Sequence, residues 1–257
     1  MKKIYAVSDI HGYYDVLISE LQEAGYNEND SNHLLIVLGD CFDRGVDSVA
    51  IYEYLKRLTD ENKAIVIRGN HEEMFENYLN GNDIIPFNYM WNGTNATLDD
   101  FTHRTNSFIS WCMLDKQIPS PNYNDFAEWI KIARDEINKE YPELLSWINE
   151  RPYFYETKNY IFTHGMINGS CPNWKLPPEG WREWTWAKPK DFFNPIINTD
   201  KTVVVGHINC GTLRQVANDG FEDIPAYTRK DGRVIGLDTC TTLTKKINVL
   251  VIEDELL

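Results

Sequence analysis

Five short apolar runs in this chain of 257 residues are each followed directly by a polar cluster, and this order constrains the fold most. A short apolar run bounded by polar residues is typical of a buried strand. The clusters begin at Asp9, Gly39, Gly69, Thr163 and Gly206. Apolar residues recur at helical spacing over 14–24 and 46–58, between the first three runs. This β-α-β-α-β order predicts a parallel sheet with crossover helices.

The later part of the chain follows a different pattern. We predict a third strand over 64–67 and a helix over 72–79, then a mostly helical insertion over about 80–155 that includes a helix at 125–139. Strand signals return at 160–162, 202–205, 234–237 and 247–252, the last two expected to be antiparallel, and 168–198 is expected to be an ordered loop. The predicted fold is α/β of mixed α+β type. It is a single domain over 1–257, a β-sandwich of two mixed sheets flanked by helices, with the insertion as a cap.

Charge and composition exclude several classes of function. The chain has 25 basic and 39 acidic residues, a net charge of −14, whereas nucleic-acid and anionic-lipid surfaces need clustered Lys and Arg. No apolar run approaches the roughly 18 residues of a membrane span, and the first apolar stretch is too short for a secretory signal. The 5 cysteines are odd in number and form no CxxC pair, which favours reduced thiols in a cytoplasm.

The polar clusters carry the donors of a metal site. Ligands bind beyond the carboxyl ends of strands in open α/β sheets, so the clusters should meet at one edge. Their Asp, His and Asn side chains offer oxygen and nitrogen donors without thiolates, a set that suits Mn, Fe, Zn or Ni. Asp40 is placed to bridge two ions, as carboxylates do in two-metal sites.

Each cluster alone also has a structural interpretation. Asp9-x-His11-Gly12 is compatible with a turn, Asn70 with the N-cap of a helix, and Asp40-x-x-Asp43-Arg44 with an ion-paired loop. Five clusters in order, each after a strand, favour one shared site.

Taken together, these motifs resemble the calcineurin-like metallophosphoesterases. The resemblance is carried by Asp9-x-His11-Gly12, Gly39-Asp40-x-x-Asp43-Arg44-Gly45, Gly69-Asn70-His71-Glu72, His164 and Gly206-His207. Within that family the chain is similar to the phosphoprotein-phosphatase group, which includes phage-lambda-type protein phosphatases and bacterial symmetrical diadenosine tetraphosphatases. Residues 91–97 look like a looser Asn-Gly-Gly-x-x-Thr element of bacterial members.

The resemblance implies a role for each matched residue. Two divalent ions would be bound, with manganese the first expectation and Fe, Zn or Ni possible. Asp9 and His11 would bind the first ion and Asp40 would bridge. Asn70, His164 and His207 would complete the second ion. Arg44 and Asn70 would bind phosphate, and His71, oriented by Asp43, would protonate the leaving group.

A second phosphate-binding cation is less clearly assigned by the resemblance. The family supplies an Arg in a Trp-x-Arg context, and the best match here is Trp186-Ala187-Lys188. Lys188 would therefore supply charge without the bidentate fork of an arginine. Arg182, in Trp181-Arg182-Glu183, is the competing candidate.

The implied activity is hydrolysis of phosphate monoesters, on phosphoprotein Ser/Thr or small phosphate esters, with a phosphorylated substrate as the partner. The alternative is a symmetrical dinucleoside polyphosphate hydrolase, and a polynucleotide end-phosphatase is disfavoured by the charge. A non-catalytic metal-binding domain is disfavoured because every expected ligand and the proton donor are present. Trp91, Trp111, Trp129 and Trp147 are interpreted as core of the cap, and Glu72 and Glu73 as helix-terminal charges.

Overall fold

Two mixed β-sheets packed face to face form the centre of the computed structural model, which describes residues 1–82, 86–176 and 182–257. The strands are β1 (Lys2–Val7), β2 (His33–Val37), β3 (Ala64–Val66), β4 (Phe154–Glu156), β5 (Tyr160–Thr163), β6 (Thr202–Val205), β7 (Tyr227–Thr228), β8 (Val234–Gly236) and β9 (Leu250–Asp254). Within these residues, one sheet has the order β3-β2-β1-β9 and the other β4-β5-β6-β8-β7.

Helices cover the outer faces of the sheets and fill the connections. They are α1 (Tyr14–Glu23), α2 (Ser48–Asp60), α3 (Asn70–Leu79), α4 (Pro86–Trp91), α5 (Thr94–Phe101), α6 (Ser107–Ser110), α7 (Tyr123–Glu140), α8 (Leu144–Asn149), α9 (Glu183–Trp186), α10 (Cys210–Ala217) and α11 (Thr241–Thr244). A π-helical turn spans Trp111–Asp115, and a 3₁₀ turn spans Pro189–Phe193. None of the helices in the described ranges combines the length and apolar character of a membrane span.

The central strands are apolar on both faces because each face is buried. In β1, Ile4 and Ala6 lie in the core between the two sheets, whereas Tyr5 and Val7 lie in the core under the helices. A strand covered on both sides reads as a continuous apolar run rather than an alternating one. This is why the sequence marks these strands so clearly.

The expected parallel unit is present, with β1, β2 and β3 parallel neighbours. The expected antiparallel pairing of the last two strands is wrong. β8 pairs in parallel with β6, and β9 crosses to the other sheet, where it runs antiparallel to β1 with Ile252 opposite Ile4. An apolar run specifies a buried strand but not its neighbour, so the partner is settled by packing.

The described residues of the insertion form helices, namely α4 to α8 with the π-helical turn. Trp111, Trp129 and Trp147 are buried in its core, but Trp91 is 76% exposed, so its assignment to the core was wrong. The side chain of α4 that packs inward is Tyr89, whose ring contacts the Trp129 ring edge to face. Trp91, two residues further along the helix, projects from the other side.

The segment 168–198 is more regular than the expected loop, since it contains α9 and the 3₁₀ turn. Residues 177–181, including Trp181, lie outside the described residues. The segment leads from β5 to β6 and passes beside the strand ends that carry His164 and His207.

Candidate active site

Asp40 lies at the centre of the polar clusters, which the structure brings together at one edge of the sandwich. Its Oδ1 is 3.3 Å from Nε2 of His164, and its Oδ2 is 3.7 Å from Nε2 of His11 and 3.8 Å from Nε2 of His71. Asp9 Oδ1 lies 3.9 Å from the same nitrogen of His11. All five residues are buried. The predicted ligands from different strands therefore share one site.

The backbone is strained where it carries these side chains. Positive φ angles occur at Asp9 (53°), His11 (51°), Asp40 (53°), Asp43 (71°), Arg44 (73°) and His207 (65°). A non-glycine residue in this region costs about 1–3 kcal/mol and persists where its surroundings hold it there. Six of the thirteen non-glycine residues with positive φ in the described part of the chain lie in these clusters, which indicates that the strand ends are shaped for a site.

Hydrogen bonds fix the tautomers of two histidines. The Nδ1–H of His11 donates to the carbonyl of Phe42 at 2.9 Å, and that of His164 donates to the carbonyl of Leu38 at 2.6 Å. Each ring therefore presents the lone pair of Nε2 to the centre of the site. A ring oriented by a bond from its other nitrogen is the usual state of a metal-binding histidine. Nε2 of His164 also lies 2.9 Å from Oδ1 of Asn70.

Glu72 holds the loops that carry the ligands. It is fully buried, and its carboxylate accepts 2.8 Å hydrogen bonds from the backbone nitrogens of Asp40, Cys41 and Gly69. The expectation that Glu72 serves as a helix-terminal charge is therefore incomplete. It lies in the first turn of α3, but its main contacts are with the loops after β2 and β3.

Burial sets the ionisation of the cluster in the absence of a bound cation. Desolvation raises the pKa of Asp9 to about 6 and the pKa of Asp40 well above its ordinary range. Desolvation also lowers the pKa of His207 to about 3 and that of His11 well below its ordinary value. A buried cation favours ionised carboxylates and neutral imidazoles, which are the forms that bind metal.

The donor geometry fits two ions that share one carboxylate. One group of converging donors consists of His11, Asp40 and His71, and another of Asp40, His164 and His207, with all ligand atoms in a group within 4.8 Å of one another. Asp40 belongs to both groups, as expected of a bridging ligand. The first group includes His71, to which the resemblance assigns proton transfer, where the resemblance has Asp9.

Arg44 lies beside the donors and contacts two of their histidines. Nη1 of the exposed Arg44 lies 2.6 Å from Nε2 of His11, and Nη2 lies 3.3 Å from Nε2 of His71. On its other side, His71 Nδ1–H donates to Oδ2 of Asp43 at 2.6 Å. The predicted Asp43–His71 pair is thus formed, and an arginine fork adjoins it.

Both candidates for the second cation flank α9. Arg182 is exposed, and its guanidinium carbon lies 5.5 Å from the centre of the Trp186 ring, which in turn lies 6.2 Å from the ring of His207. Lys188 is also exposed, and among the described residues its ammonium group forms no hydrogen bond or ion pair with the cluster. The contacts place Arg182 next to a ring that adjoins His207.

Several contacts near the site were not predicted from the sequence, including those of Glu73, which was interpreted only as a helix-terminal charge. Thr94 and Thr97 bind the carboxylate of Asp43, and Glu73 accepts hydrogen bonds from Trp186 Nε1 at 3.0 Å and Thr185 Oγ1 at 3.1 Å. Of these residues, only the two threonines belonged to a recognised sequence pattern, the element at 91–97. Glu73 and Trp186 are 113 residues apart, and no local pattern links them.

Comparison with known proteins gives a consistent result. The profile of the calcineurin-like phosphoesterases matches residues 2–224. The chain is 29% identical over 180 residues to a Shewanella-like protein phosphatase 1 of Plasmodium berghei, covering 65% of this chain and 39% of that protein. It is 32% identical over 84 residues to an asymmetrical bis(5'-nucleosyl)-tetraphosphatase of Bacillus velezensis, covering 30% and 34% respectively. The chain thus spans between a third and two fifths of the length of these two relatives.

A solved structure supports the same fold. The cold-active protein-tyrosine phosphatase of a psychrophilic Shewanella species superposes with a TM-score of 0.55 at 16% identity, covering 98% of this chain and 76% of that one. The profile match extends over most of the sequence and includes all five polar clusters. By this match, the chain belongs to the calcineurin-like phosphoesterase family.

Proposed function

We propose that this protein is a metal-dependent phosphatase that hydrolyses phosphate monoesters, of phosphoserine or phosphothreonine in proteins or of small molecules. The observation that carries the proposal is the position of Arg44. Its guanidinium lies within 3.3 Å of His71 and within 2.6 Å of His11, so a phosphate-binding group, a proton donor and a metal ligand adjoin one another. Family membership supports the reaction class.

Two divalent ions complete the proposed site. Asp9, His11 and Asp40 would hold one ion, and Asp40, Asn70, His164 and His207 the other. When bound, the ions would offset the charge of the phosphate and lower the pKa of an attacking water. A mixed set of carboxylate, amide and imidazole donors suits manganese, with Fe, Zn or Ni as alternatives.

Arg44 and Asn70 are proposed to hold the phosphate. A guanidinium matches two phosphate oxygens at once, which fixes orientation as well as charge. Oδ1 of Asn70 faces His164 at 2.9 Å, so its amide nitrogen is the group that remains to donate to a phosphate oxygen. A second cation would come from Lys188 or Arg182.

His71 is proposed to give a proton to the departing oxygen. Burial and the charge of Arg44 lower the pKa of His71 well below its ordinary value. A phosphate dianion on Arg44 would cancel the second of these effects, and the Asp43 carboxylate favours the charged imidazolium. Substrate binding would therefore favour protonation of Nε2, which faces the phosphate site beside Arg44.

A dinucleoside polyphosphate hydrolase is the second candidate. It is favoured by a cavity of about 490 Å³ beside Arg44, walled by α5 and the residues that follow it. A cavity of this volume has room for a leaving group larger than a serine side chain. The expected form is the symmetrical hydrolase, and the relative from Bacillus velezensis is named for the asymmetrical form of the activity.

One experiment separates these candidates. The purified protein would be assayed with Mn²⁺, Ni²⁺, Zn²⁺ or Mg²⁺ against nitrophenyl phosphate, a phosphoserine peptide and diadenosine tetraphosphate, with Asp40→Asn as the control for contaminating activity. Metal-dependent release of phosphate from the peptide supports the phosphatase. A kcat/KM at least tenfold higher on diadenosine tetraphosphate would replace it with the second candidate, and no turnover of any substrate would refute both.

A cytoplasmic location completes the proposal. All five cysteines lie within the described residues and are free thiols, the usual state in a reducing compartment. The net charge of −14 makes nucleic acid or an anionic membrane a poor partner.

A further inference from the structure

Two threonines of α5, in the helical insertion, bind the carboxylate that holds His71. Thr97 Oγ1 donates to Oδ1 of Asp43 at 2.7 Å, and Thr94 Oγ1 donates to Oδ2 at 3.2 Å. All three residues are buried. The insertion is therefore in direct contact with a residue behind the proton donor, not only with the surface of the site.

The direction of the Thr97 hydroxyl follows from the chemistry of its partners. The backbone nitrogen of Asp43 donates to Thr97 Oγ1 at 2.8 Å, and Ser48 Oγ lies 3.3 Å away. A hydroxyl has one proton and two lone pairs. An ionised carboxylate oxygen only accepts, so the proton of Thr97 is directed to Oδ1 of Asp43, and its lone pairs face the backbone nitrogen of Asp43 and the hydroxyl of Ser48.

The hydrogen bond from Thr97 determines which carboxylate oxygen of Asp43 accepts the hydrogen bond from His71. Oδ1 of Asp43 is engaged by Thr97, and Oδ2 is presented to His71 Nδ1 at 2.6 Å. Rotation of the carboxylate would break the Thr97 bond and misalign the bond to His71. Burial raises the pKa of Asp43 to about 7, and the hydrogen bonds from Thr97 and Thr94 oppose that rise.

The start of α5 also contacts the loop that carries Arg44. The backbone nitrogen of Arg44 donates to the carbonyl of Gly93 at 3.1 Å. Gly93 has φ +86°, and a Cβ there would lie 2.5 Å from that nitrogen, so only glycine fits. Other residues of α5 line the cavity beside Arg44. One short helix thus connects that cavity to the Asp43–His71 pair.

We propose that Thr97, assisted by Thr94, is a positioning residue that orients the Asp43 carboxylate and through it the imidazole of His71. The expected change in kcat rests on the proposed function. The expected orientation of the Asp43 carboxylate and the His71 ring does not. This role of Thr97 makes the insertion part of the machinery for proton donation, because a change in the position of α5 would change the alignment of His71.

The kinetic test compares Thr97→Val with Thr97→Ser. Valine keeps the shape and removes the hydroxyl, whereas serine restores it. The matched control is Thr102→Val, next to the end of α5, where the hydroxyl donates to the carbonyl of Leu98 and not to a carboxylate. Loss of one hydrogen bond to a charged group corresponds to a decrease in rate of about 10- to 100-fold. Thr97→Val should lose about that much kcat on a phosphoserine peptide and less than about threefold on nitrophenyl phosphate, with KM unchanged.

A spectroscopic test does not depend on activity. In the Zn²⁺-loaded protein labelled with ¹⁵N-histidine, the hydrogen-bonded Nδ1 proton of His71 should give a downfield resonance, assigned by its loss in His71→Asn. We expect it in the wild type, Thr97→Ser and Thr102→Val, and expect it to be lost or shifted in Thr97→Val. If the wild type hydrolyses no phosphate ester, the proposed function fails while this resonance still tests the positioning.

An unchanged resonance and an unchanged ratio of kcat on the two substrates in Thr97→Val would overturn the inference. Equal loss on both substrates with the resonance retained would also overturn it. If circular dichroism shows that Thr97→Val does not fold, Thr94→Val decides instead. Thr94→Val should shift the His71 resonance and the ratio of kcat on the two substrates in the direction expected for Thr97→Val, but by a smaller amount, because the Thr94 hydrogen bond is longer. No shift in Thr94→Val would refute the proposal.

Discussion

Oδ2 of Asp43 lies 2.6 Å from Nδ1 of His71, and both side chains are buried. The bond orients the ring so that Nε2 faces Arg44, 3.3 Å away. A histidine held in this way is suited to give a proton to a group bound on Arg44, and the contact therefore leads to a prediction about leaving groups.

His71→Asn should lower kcat by about 10²–10⁴-fold on a phosphoserine peptide, the usual range for general acid catalysis. The loss should be smaller on nitrophenyl phosphate, because nitrophenolate is stable without the proton. Both ions should remain, as measured by elemental analysis of the purified variant. Equal losses on both substrates with metal retained would remove His71 from this role, and loss of metal would make it a ligand, as its place in the first donor group allows.

Asp40→Asn should lose at least one of the two ions. The carboxylate lies between the histidines of both donor groups, and an amide oxygen is a weaker and neutral ligand. The measurement is metal content after dialysis against metal-free buffer, with Asp15→Asn on the exposed face of α1 as the control. A variant that keeps two ions and full activity would contradict the bridging assignment.

Arg182→Ala and Lys188→Ala separate the two candidates for the second cation. Arg182 stacks over Trp186 beside His207, so the structure leads us to expect the larger effect there. Removing a ground-state phosphate contact raises KM, and about a tenfold rise on a phosphoserine peptide is expected for Arg182→Ala. A larger rise for Lys188→Ala would assign the role to Lys188, as the sequence pattern favoured.

Glu72→Gln should lower the free energy of unfolding by about 1–3 kcal/mol. The carboxylate accepts three backbone hydrogen bonds with its two oxygens, and a glutamine offers one oxygen and an NH₂ group that faces another donor. A buried donor left without an acceptor costs about 1–3 kcal/mol. Urea unfolding of the metal-free protein measures the change, with the exposed Glu23→Gln as the control. A loss below about 0.5 kcal/mol would contradict this account.

Asp43→Asn should change how stability depends on pH. Burial raises the pKa of Asp43 to about 7 from an ordinary value of 3.8, so the native state holds a proton that the unfolded state has lost. The stability contributed by protonated Asp43 is complete below pH 3.8 and is lost as the pH rises through about 7. Asparagine does not titrate. The stability of the variant relative to the wild type should therefore rise between pH 4 and pH 8, by at most about 4 kcal/mol.

Urea titrations of the metal-free proteins at pH 4.5, 6 and 8 measure this difference. Asp15→Asn, on the surface, should follow the wild type at all three values. A difference between Asp43→Asn and the wild type that is constant with pH would mean that Asp43 titrates normally in the folded protein.

The sequence alone predicted the first three parallel strands and the candidate site residues that follow the strands. Strands buried on both faces are continuous apolar runs, and the polar residues that follow Val7, Val37, Val66 and Val205 stand out against them. Because parallel strands end at the same edge of a sheet, the order of β1 and β2 was sufficient to predict that Asp9 and Asp40 meet. That inference needed no knowledge of side-chain contacts.

Only the tertiary structure decided which groups support those residues. Thr97 is 54 residues from Asp43 along the chain, and Asp9 meets the backbone of His207 across 198 residues. The sheet partner of β9 and the exposure of Trp91 likewise depended on what packs against them. Periodicity along a chain reports which face of an element is buried, but not against which element. Hydrogen-bond partners distant in sequence are selected by packing, because a buried polar group must find its partner wherever the fold places one.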